Sequence, residues 1–333
     1  MKKILNKRFY IFIFPVLAIA ITLGAIILNS LNEDLIEEIQ VDLNEDLTSR
    51  KIYILSDDEV LVPLSLSFTK KDTLSEDIIS VLNLLREGSP VEDKGYHPLL
   101  SSSVSINSIE LDNNILNVDF SEEFNDYDVS KENQIIEGLT WSLMQYDEIE
   151  GVTLSVSGQK IERMPVGGTP LPSILTKAIG INKYHDTSGD ILDTVSVTIF
   201  YEKKINGEEV YVPVTRRVKP EESINKTIFN ALKTTPSVLS GYKSLGVMSY
   251  LDKDQSVIFE EDEISIPLIV NSLIEENIMN EKIYEVFKLI YEDLNNIAVN
   301  FMFEVNDEAV SVNGYPDYND TAVSAIIINE FKI

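Results

Sequence analysis

The 333-residue sequence contains no cysteine. This absence excludes disulfide bonds, thiolate nucleophiles, cysteine-ligated metals and a lipid-bearing cysteine behind a signal sequence. Histidine is scarce as well, since the chain has only His97 and His185. They lie far apart and form no His-x-x-x-His motif for zinc. We therefore expect no metal site, no cofactor and no catalytic residues, so that the protein is predicted not to be an enzyme.

Positive charge is also scarce. The chain has 55 acidic residues against 27 lysines and arginines, and its net charge is −28. Four of the basic residues, Lys2, Lys3, Lys7 and Arg8, precede residue 9, and the remainder is more acidic still. Such a surface repels the phosphates of nucleic acids within about 10 Å at ordinary salt. We expect no binding to DNA or RNA.

One long apolar run covers residues 9–28. A helix of about 20 residues crosses the ~30 Å hydrocarbon core of a bilayer. Basic residues precede the run, and Glu33, Asp34, Glu37 and Glu38 follow it, so the positive-inside rule places the N-terminus in the cytoplasm. Residues 1–30 are thus predicted to be a cytoplasmic tip and a single-pass anchor in the cell membrane, with the rest of the chain extracytoplasmic. The alternative is a cleaved signal peptide, which usually has a shorter apolar core.

Residues 31–50 form an acidic stalk or linker. Leucine or isoleucine recurs there every four residues, at Leu31, Leu35, Ile39, Leu43 and Leu47. This spacing places the apolar side chains on one face of a helix. The alternative is a solvated linker that is helical only in part, because an isolated helix buries little apolar surface.

Behind the stalk, the chain repeats itself. Val60-Leu61-Val62-Pro63-Leu64 recurs as Val210-Tyr211-Val212-Pro213-Val214. After each copy come a helical pattern, strand patterns, a second helical pattern and a last strand. We predict two small α+β sandwich domains of similar topology at residues 51–162 and 194–333. Residues 163–193, rich in proline and glycine at their start, form the predicted linker.

In the first copy, Thr73 and Glu76 have the spacing of a capping box and predict the start of a helix. Asp112-Asn113-Asn114 predicts a hairpin turn. The spacing of apolar residues predicts two amphipathic helices. The apolar face of the first consists of Leu74, Ile78, Val81, Leu82 and Leu85. The apolar face of the second consists of Ile135, Leu139, Leu143 and Tyr146.

In the second copy, Asn206-Gly207 predicts a tight hairpin turn between two strands. Residues 257–259 are predicted as the strand that corresponds to 115–120. Residues 322–328 are predicted as a last strand that pairs with this copy. The clearest helical face of the chain has the members Ile283, Val286, Phe287, Ile290, Tyr291 and Leu294.

The polar motifs are weak. Asp119 and Glu122 follow a strand, where paired carboxylates can act as acid and base. Asp119 alternates with Val118 and Phe120, however, and is predicted to face water or to cap the next turn. His97 is predicted to be a surface residue in a loop.

Three other features are interpreted as parts of the fold and not as functional sites. Asp317-Tyr318-Asn319-Asp320 lacks the glycine and the glutamate of a calcium loop and is predicted to be a polar turn. Gly167-Gly168 is too short for a phosphate cradle. Trp141 is predicted at the rim of the core, and a contact surface is the alternative.

Several stretches of the first copy resemble the GerM domain, which is found in sporulation and germination proteins of spore-forming bacteria. In order along the chain they are Val60-Leu61-Val62-Pro63, Leu84-Leu85-Arg86-Glu87-Gly88-Ser89-Pro90, Asn117-Val118-Asp119-Phe120-Ser121-Glu122-Glu123-Phe124 and Val152-Thr153-Leu154-Ser155-Val156-Ser157-Gly158-Gln159. The second copy keeps Val210-Tyr211-Val212-Pro213-Val214-Thr215-Arg216. It departs at Thr234-Thr235-Pro236 and at Phe259-Glu260-Glu261-Asp262-Glu263, and it resembles a diverged GerM domain.

The resemblance implies tandem domains similar to the ring-building motif, whose surfaces pack against neighbouring subunits. We therefore expect a membrane-anchored structural or interaction protein that supports assembly of a cell-envelope complex or of the channel complex between mother cell and forespore. Its partners would be envelope or sporulation-complex proteins in a homo- or hetero-oligomer. The alternatives are a peptidoglycan- or carbohydrate-binding envelope module and a carboxylate-based hydrolase. Some members of the family are lipoproteins, whereas this chain has no cysteine to carry a lipid.

Overall fold

The computed structural model describes residues 47–183, 191–235, 239–323 and 326–331. The predicted anchor and nearly all of the predicted stalk lie outside these residues. Ser49–Ser67 and Lys71–Ile333 belong to one compact unit, which includes both copies. Of the other unit, Met1–Thr48 with Phe68–Lys70, the structure describes only Leu47, Thr48 and Phe68–Lys70. Below, the described residues up to 162 are the first repeat, residues 163–183 are the segment that follows it, and the described residues from 191 onward are the second repeat.

The first repeat begins with a long strand pair and a helix, namely β1 (Leu47–Ser56), β2 (Leu61–Thr69) and α1 (Leu74–Leu84). Three strands follow, β3 (Tyr96–His97), β4 (Ile106–Asp112) and β5 (Ile115–Phe120). The repeat continues with α2 (Glu132–Leu143), β6 (Gly151–Val156) and β7 (Gln159–Lys160).

The second repeat has the same beginning, namely β8 (Val195–Ile205), β9 (Glu208–Val218) and α3 (Ile224–Leu232). Five short strands follow, β10 (Tyr242–Lys243), β11 (Ile258–Phe259), β12 (Glu263–Leu268), β13 (Leu273–Glu275) and β14 (Ile278–Met279). The last elements are α4 (Glu281–Lys288), β15 (Asn300–Val305), β16 (Glu308–Ala309), β17 (Ser311–Val312) and β18 (Glu330–Phe331).

The two repeats have the same strand connectivity. In each, the first long strand pairs antiparallel with a short strand after the first helix, as β3 does with β1 and β10 does with β8. Each also contains a four-stranded sheet, with the orders β4-β5-β6-β7 and β11-β12-β15-β16. The two middle strands of this sheet are parallel, and the second helix connects them. The predicted α+β fold in two similar copies is therefore confirmed.

Local sequence explains how these elements begin and turn. Thr73 caps α1 by accepting a hydrogen bond from the Glu76 amide at 3.2 Å, and Ser223 caps α3 in the same way through the Lys226 amide at 3.1 Å. Asn206 and Gly207 both have positive φ, 52° and 91°, which a type I′ turn requires. The predicted cap at Thr73 and the predicted hairpin turn at Asn206-Gly207 are confirmed, and the cap at Ser223 is a finding of the structure.

Apolar faces of the sheets and helices fill the interior. The aromatic part of the second repeat is a chain of rings, in which Phe229 stacks on Phe287 at 6.1 Å and Phe301 stacks on Phe303 at 6.0 Å. Phe287 also contacts Phe301 and Phe303. This cluster packs α3 and α4 against the middle strand β15.

The predicted long helix of the second repeat changes character near its end. Residues Leu289–Leu294 continue α4 as a π-helix. The predicted face is buried throughout, at Ile283, Val286, Phe287, Ile290, Tyr291 and Leu294. A π-helical turn inserts one extra residue per turn and rotates the positions that follow, and here Asp293 is buried together with its apolar neighbours.

Two strand predictions in the second repeat were wrong. Residues 258–259 form β11, which matches β4, and the strand that corresponds to 115–120 is β12. The prediction assigned this role to the preceding strand because β12 contains Pro267 between apolar residues and lacks the aspartate-phenylalanine pair of β5. The last strand is Glu330–Phe331, and it pairs in parallel with β2 of the first repeat, not with the second.

Residues 163–183 of the predicted linker have a defined structure in contact with the first repeat. Leu175 is buried and exchanges two backbone hydrogen bonds with Val152 of β6. Lys177–Ile179 form a short 3-10 turn, and Ile181 is fully buried. Residues 184–190 of the predicted linker lie outside the described residues.

Candidate functional site

Of the two histidines, the structure describes His97. His97 is exposed, and its Nε2 lies 2.6 Å from Oδ1 of Asp57, which agrees with the predicted surface position. His185 lies outside the described residues. In the part of the chain that the structure describes, no group of three or more histidine or carboxylate side chains could hold a metal ion.

Asp119 is buried and acts as a structural acceptor. Its Oδ1 accepts a hydrogen bond from the Gly158 amide at 2.8 Å, and its Oδ2 accepts one from the Asn107 side chain at 3.1 Å. Because β5 and β6 are parallel, the C-terminal end of β5 lies beside the turn that follows β6. Contrary to the prediction, Asp119 therefore neither faces water nor caps the turn after its own strand; it caps the turn after the neighbouring strand β6. Glu122, its predicted partner as acid or base, is exposed.

The polar turn at Asp317–Asp320 is held by side chains of the second repeat. The Asn319 side chain accepts from the Phe301 amide at 3.0 Å and donates to the Phe301 carbonyl at 3.2 Å. The Tyr284 hydroxyl donates to the Tyr318 carbonyl, and Lys288 Nζ donates to the Asn319 carbonyl at 3.2 Å. This segment closes one end of β15.

Gly167 and Gly168 belong to a loop that is folded around a buried carboxylate. Glu132, the first residue of α2, accepts hydrogen bonds from the Gly167 amide at 2.5 Å, from the Tyr127 hydroxyl at 2.6 Å and from the Thr169 hydroxyl at 2.5 Å. A methyl group on Gly167 would lie 2.6 Å from Val129 Cγ2. Glycine is therefore required at 167 for the close approach of the loop to α2.

The Glu132 carboxylate is buried without a cation among its hydrogen-bond partners. Burial raises its pKa, but hydrogen bonds from Thr169 and Tyr127 and from the amides of Gly167 and Thr169 outweigh this effect, and the pKa lies below its ordinary value. A carboxylate held ionised by four donors is a stable anchor for a loop.

Trp141 lies in the core, so its predicted position at the rim was wrong. Its ring is fully buried against Tyr53 at a centroid distance of 5.6 Å. Its Nε1 donates to the Gly180 carbonyl at 3.0 Å, and the Lys177 ammonium lies 5.3 Å from the ring centroid. Residues 177–181 cover this side of α2, and they bury a tryptophan that the helical pattern alone places at the edge.

A cluster of charged side chains consists of the buried residues Lys51 and Asp293 and the partly buried Lys177. The Asp293 carboxylate lies 2.6 Å from Lys51 Nζ and 2.6 Å from Lys177 Nζ. Lys51 is on β1, Lys177 follows the first repeat, and Asp293 is in the π-helical turn of the second repeat. The cluster therefore joins both repeats and the segment between them.

Burial raises the pKa of the Asp293 carboxyl, but the charges of Lys177 and Lys51 and their hydrogen bonds lower it much more, and the pKa lies well below its ordinary value. The group is ionised in the folded protein at neutral pH. No sequence pattern predicts this cluster, because Lys51 and Asp293 are 242 residues apart.

The described residues include a groove and a smaller pocket. A groove of about 880 Å³ lies beside α3 of the second repeat, and its lining includes Leu232, Met248 and Phe259 together with Lys226 and Lys253. A smaller pocket of about 320 Å³ in the first repeat is lined by His97, Lys131 and several carboxylates, of which Asp57 pairs with His97 and Glu59 with Lys131.

Comparisons with known proteins agree with the resemblance found in the sequence. Residues 51–162 match the family model Germane, described as sporulation and spore germination. The spore germination protein GerM of Bacillus subtilis (strain 168) is 30% identical over 207 residues, which cover 61% of this chain and 56% of the relative. The match thus spans little more than half the length of that protein.

A solved structure shows the same fold in tandem. The tandem GerMN domains of the sporulation protein GerM from Bacillus subtilis match with a TM-score of 0.65 and 23% identity, over 81% of this chain and 92% of that chain. The duplication read from the sequence is thus present in a known structure. The family match and the relative thus support the resemblance of residues 51–162 to the Germane family, and the solved structure shows that the tandem fold is shared.

Proposed function

We propose that this protein is a membrane-anchored, extracytoplasmic structural protein whose two GerM-like domains, at residues 51–162 and 194–333, support the assembly of a cell-envelope complex. In a spore-forming cell this would be the channel complex between mother cell and forespore. The observation that carries the proposal is the 30% identity to a spore germination protein over 207 residues, in a chain with the tandem fold. The protein would act through its surfaces and without turnover of a substrate.

The anchor is part of this proposal and is supported by sequence. Residues 9–28 are apolar and are preceded by basic residues. Among the described residues, no helix is long and apolar enough to cross a membrane, and residues 9–28 are not among them. Protease added to intact protoplasts should digest the body of the protein, whereas full protection of residues 47–333 would contradict the proposed orientation.

The partners are envelope or sporulation-complex proteins, in a homo- or hetero-oligomer. The Germane family is described by sporulation and spore germination, and the described residues include two repeats with the same strand orders. The groove beside α3 is a concave surface with apolar residues and lysines in a chain of net charge −28. Once a partner is known, substitutions in this groove are the first ones to test for an effect on binding.

The test is a deletion strain examined by fluorescence microscopy of tagged envelope and sporulation-complex proteins. We expect at least one of them to lose its location, and we expect the full-length gene, but not a version lacking residues 1–30, to restore it. Unchanged location of all of them in the deletion strain would contradict a role in assembly. Retention of the purified protein on isolated cell wall, with no effect on those proteins, would favour the peptidoglycan-binding alternative.

A further inference from the structure

Each repeat is followed by a similar four-residue segment. Ile179-Gly180-Ile181-Asn182 comes after the first repeat, and Ile326-Ile327-Ile328-Asn329 comes near the end of the second, 147 positions later. We call these segments the first tail and the second tail. Both asparagines have positive φ, 45° and 48°, and the isoleucines before them, Ile181 and Ile328, are buried.

The first tail lies between the two repeats. The side-chain amide of Asn182 accepts a hydrogen bond from the Leu61 amide at 2.9 Å and donates to the Leu61 carbonyl at 2.8 Å. The same amide donates to the Pro213 carbonyl at 2.9 Å. It therefore connects β2 of the first repeat with β9 of the second.

The second tail makes the same contacts with the roles of the repeats exchanged. The amide of Asn329 accepts from the Tyr211 amide at 2.9 Å and donates to the Tyr211 carbonyl at 2.8 Å. It also donates to the Pro63 carbonyl at 2.8 Å. Leu61 and Pro63 are in the first Val-Pro motif, and Tyr211 and Pro213 occupy the same places in the second.

The isoleucine before each asparagine also contacts the opposite repeat. The Ile181 amide donates to Thr215 Oγ1 at 2.8 Å, and the Ile328 amide donates to Ser65 Oγ at 3.1 Å. Thr215 and Ser65 are again equivalent, each two residues after the proline of its motif. The first tail thus binds β9 of the second repeat, and the second tail binds β2 of the first, next to the parallel pairing of Glu330 with Ser65.

An arrangement in which one patch contacts an equivalent patch in both directions is that of an isologous dimer. Addition of an extended segment to a strand is also a general mode of peptide recognition. We propose that the Val-Pro strands β2 and β9 are recognition sites for an Ile-x-Ile-Asn tail, and that the two repeats bind each other through exchanged tails as the halves of a dimer fused into one chain.

The proposal predicts that the association does not depend on the covalent connection. Residues 184–190 of the full-length protein are replaced by a specific protease site, and the protein is cleaved under native conditions. The two fragments are then expected to elute together in size-exclusion chromatography at the position of the uncut protein. Separation of the fragments at micromolar concentration would overturn the proposal.

Asparagine-to-glycine variants test the tails themselves, because glycine accepts positive φ while the side chain with its amide group is removed. In the cleaved protein, the double variant Asn182→Gly with Asn329→Gly is expected to weaken association of the fragments about a hundredfold. It removes the two hydrogen bonds that cross between the fragments, to the carbonyls of Pro213 and Pro63, and also the bonds that hold each asparagine to its own repeat. The control Asn277→Gly, at another positive φ (60°) in an exposed turn, is expected to leave association unchanged.

Fluorescence of Trp141, the single tryptophan, reports whether the first repeat stays folded in these variants. If the double variant loses the emission of the buried ring, Thr215→Val serves instead, because it removes the acceptor for the Ile181 amide at nearly constant volume. We then expect about tenfold weaker association. Association equal to that of the cleaved parent in the folded variant would overturn the assignment of the tails.

Discussion

At residue scale, Asp293 shows how one carboxylate can join distant parts of a chain. It is buried, and both of its oxygens lie 2.6 Å from lysine ammonium groups, one of Lys51 and one of Lys177. Removing one member of a buried ion cluster leaves the others charged in an apolar environment, at a cost of about 3–5 kcal/mol. The cluster is thus more sensitive to a single substitution than a surface ion pair would be.

Asp293→Asn is expected to lower the free energy of unfolding by about 3 kcal/mol, because Lys51 and Lys177 stay buried without their counter-charge. Urea denaturation followed by circular dichroism measures this change. Asp254→Asn, at an exposed aspartate, is the control and should change stability by less than about 0.5 kcal/mol. Equal effects of the two substitutions would contradict the role of the cluster.

The pH dependence of stability follows from the lowered pKa of Asp293. A carboxyl with a folded-state pKa below its unfolded value stabilises the fold above the unfolded pKa, and this stabilisation is lost as the pH falls toward the folded value. Stability should therefore decrease below about pH 4. Glu137 acts in the opposite direction, because burial raises its pKa against the effect of Lys183.

The difference between wild type and Asp293→Asn isolates the contribution of Asp293. We expect this difference in unfolding free energy to shrink as the pH is lowered from 6 to 3, measured by urea denaturation at each pH. A constant difference over this range would show that the Asp293 carboxyl is not titrating with a lowered pKa.

Glu132 provides a test of the loop at 163–170. Glutamine has the same size but offers one acceptor oxygen and presents an NH2 group to donors. Glu132→Gln is therefore expected to cost about 2 kcal/mol, since hydrogen bonds to a charged group are lost in a buried place. Glu122→Gln, ten positions earlier and exposed, is the matched control for the urea measurement. If Glu132→Gln lowers the free energy of unfolding no more than the control does, the role of Glu132 in holding the loop at 163–170 is contradicted.

At the scale of elements, each repeat uses one amide side chain to hold its opening strand. Gln145 after α2 accepts from the Lys51 amide at 2.8 Å and donates to the Lys51 carbonyl at 2.7 Å. Asn295 after the π-helical turn accepts from the Thr198 amide at 2.9 Å and donates to the Thr198 carbonyl at 2.6 Å. The same strand position is held in both repeats from the end of the second helix.

Asn295→Ala is expected to cost about 2 kcal/mol, because both backbone groups of Thr198 lose their side-chain partner in a part-buried place. Amide hydrogen exchange at Thr198 should also accelerate. Asn313→Ala removes a single exposed hydrogen bond to Glu281 and should change stability little. Exchange at Thr198 that is unaffected by Asn295→Ala would contradict this role.

Local signals in the sequence predicted most elements of the fold. Thr73, Asn206-Gly207 and the apolar faces of α1 and α2 act through contacts between near neighbours, and these predictions are confirmed. Trp141, Asp119 and the last strand were misplaced or only partly placed, since segments far away in sequence decide their surroundings. Residues 177–181 bury Trp141, and β2 of the first repeat binds Glu330–Phe331.

The candidate sites show the same limit more strongly. The sequence gives no reason to connect Lys51 with Asp293, or Pro63 with Asn329, because neither pair is close along the chain or part of one motif. The duplicated Val-Pro motif was visible, but its role as an acceptor for the two tails depends on how the repeats face each other.

At the scale of the whole molecule, the connections between the repeats suggest one folding unit. The ion cluster of Asp293, the two tails and the pairing of β18 with β2 all cross between the repeats. These contacts are expected to couple the unfolding of the two repeats, whereas repeats joined only by a linker unfold separately.

Calorimetric unfolding of the full-length protein tests this central claim most directly. We predict a single transition for the described body, with a calorimetric enthalpy close to the van't Hoff enthalpy, because neither repeat keeps its strand partner when the other unfolds. Two separated transitions, or a calorimetric enthalpy about twice the van't Hoff value, would show that the repeats are independent domains and would contradict the account.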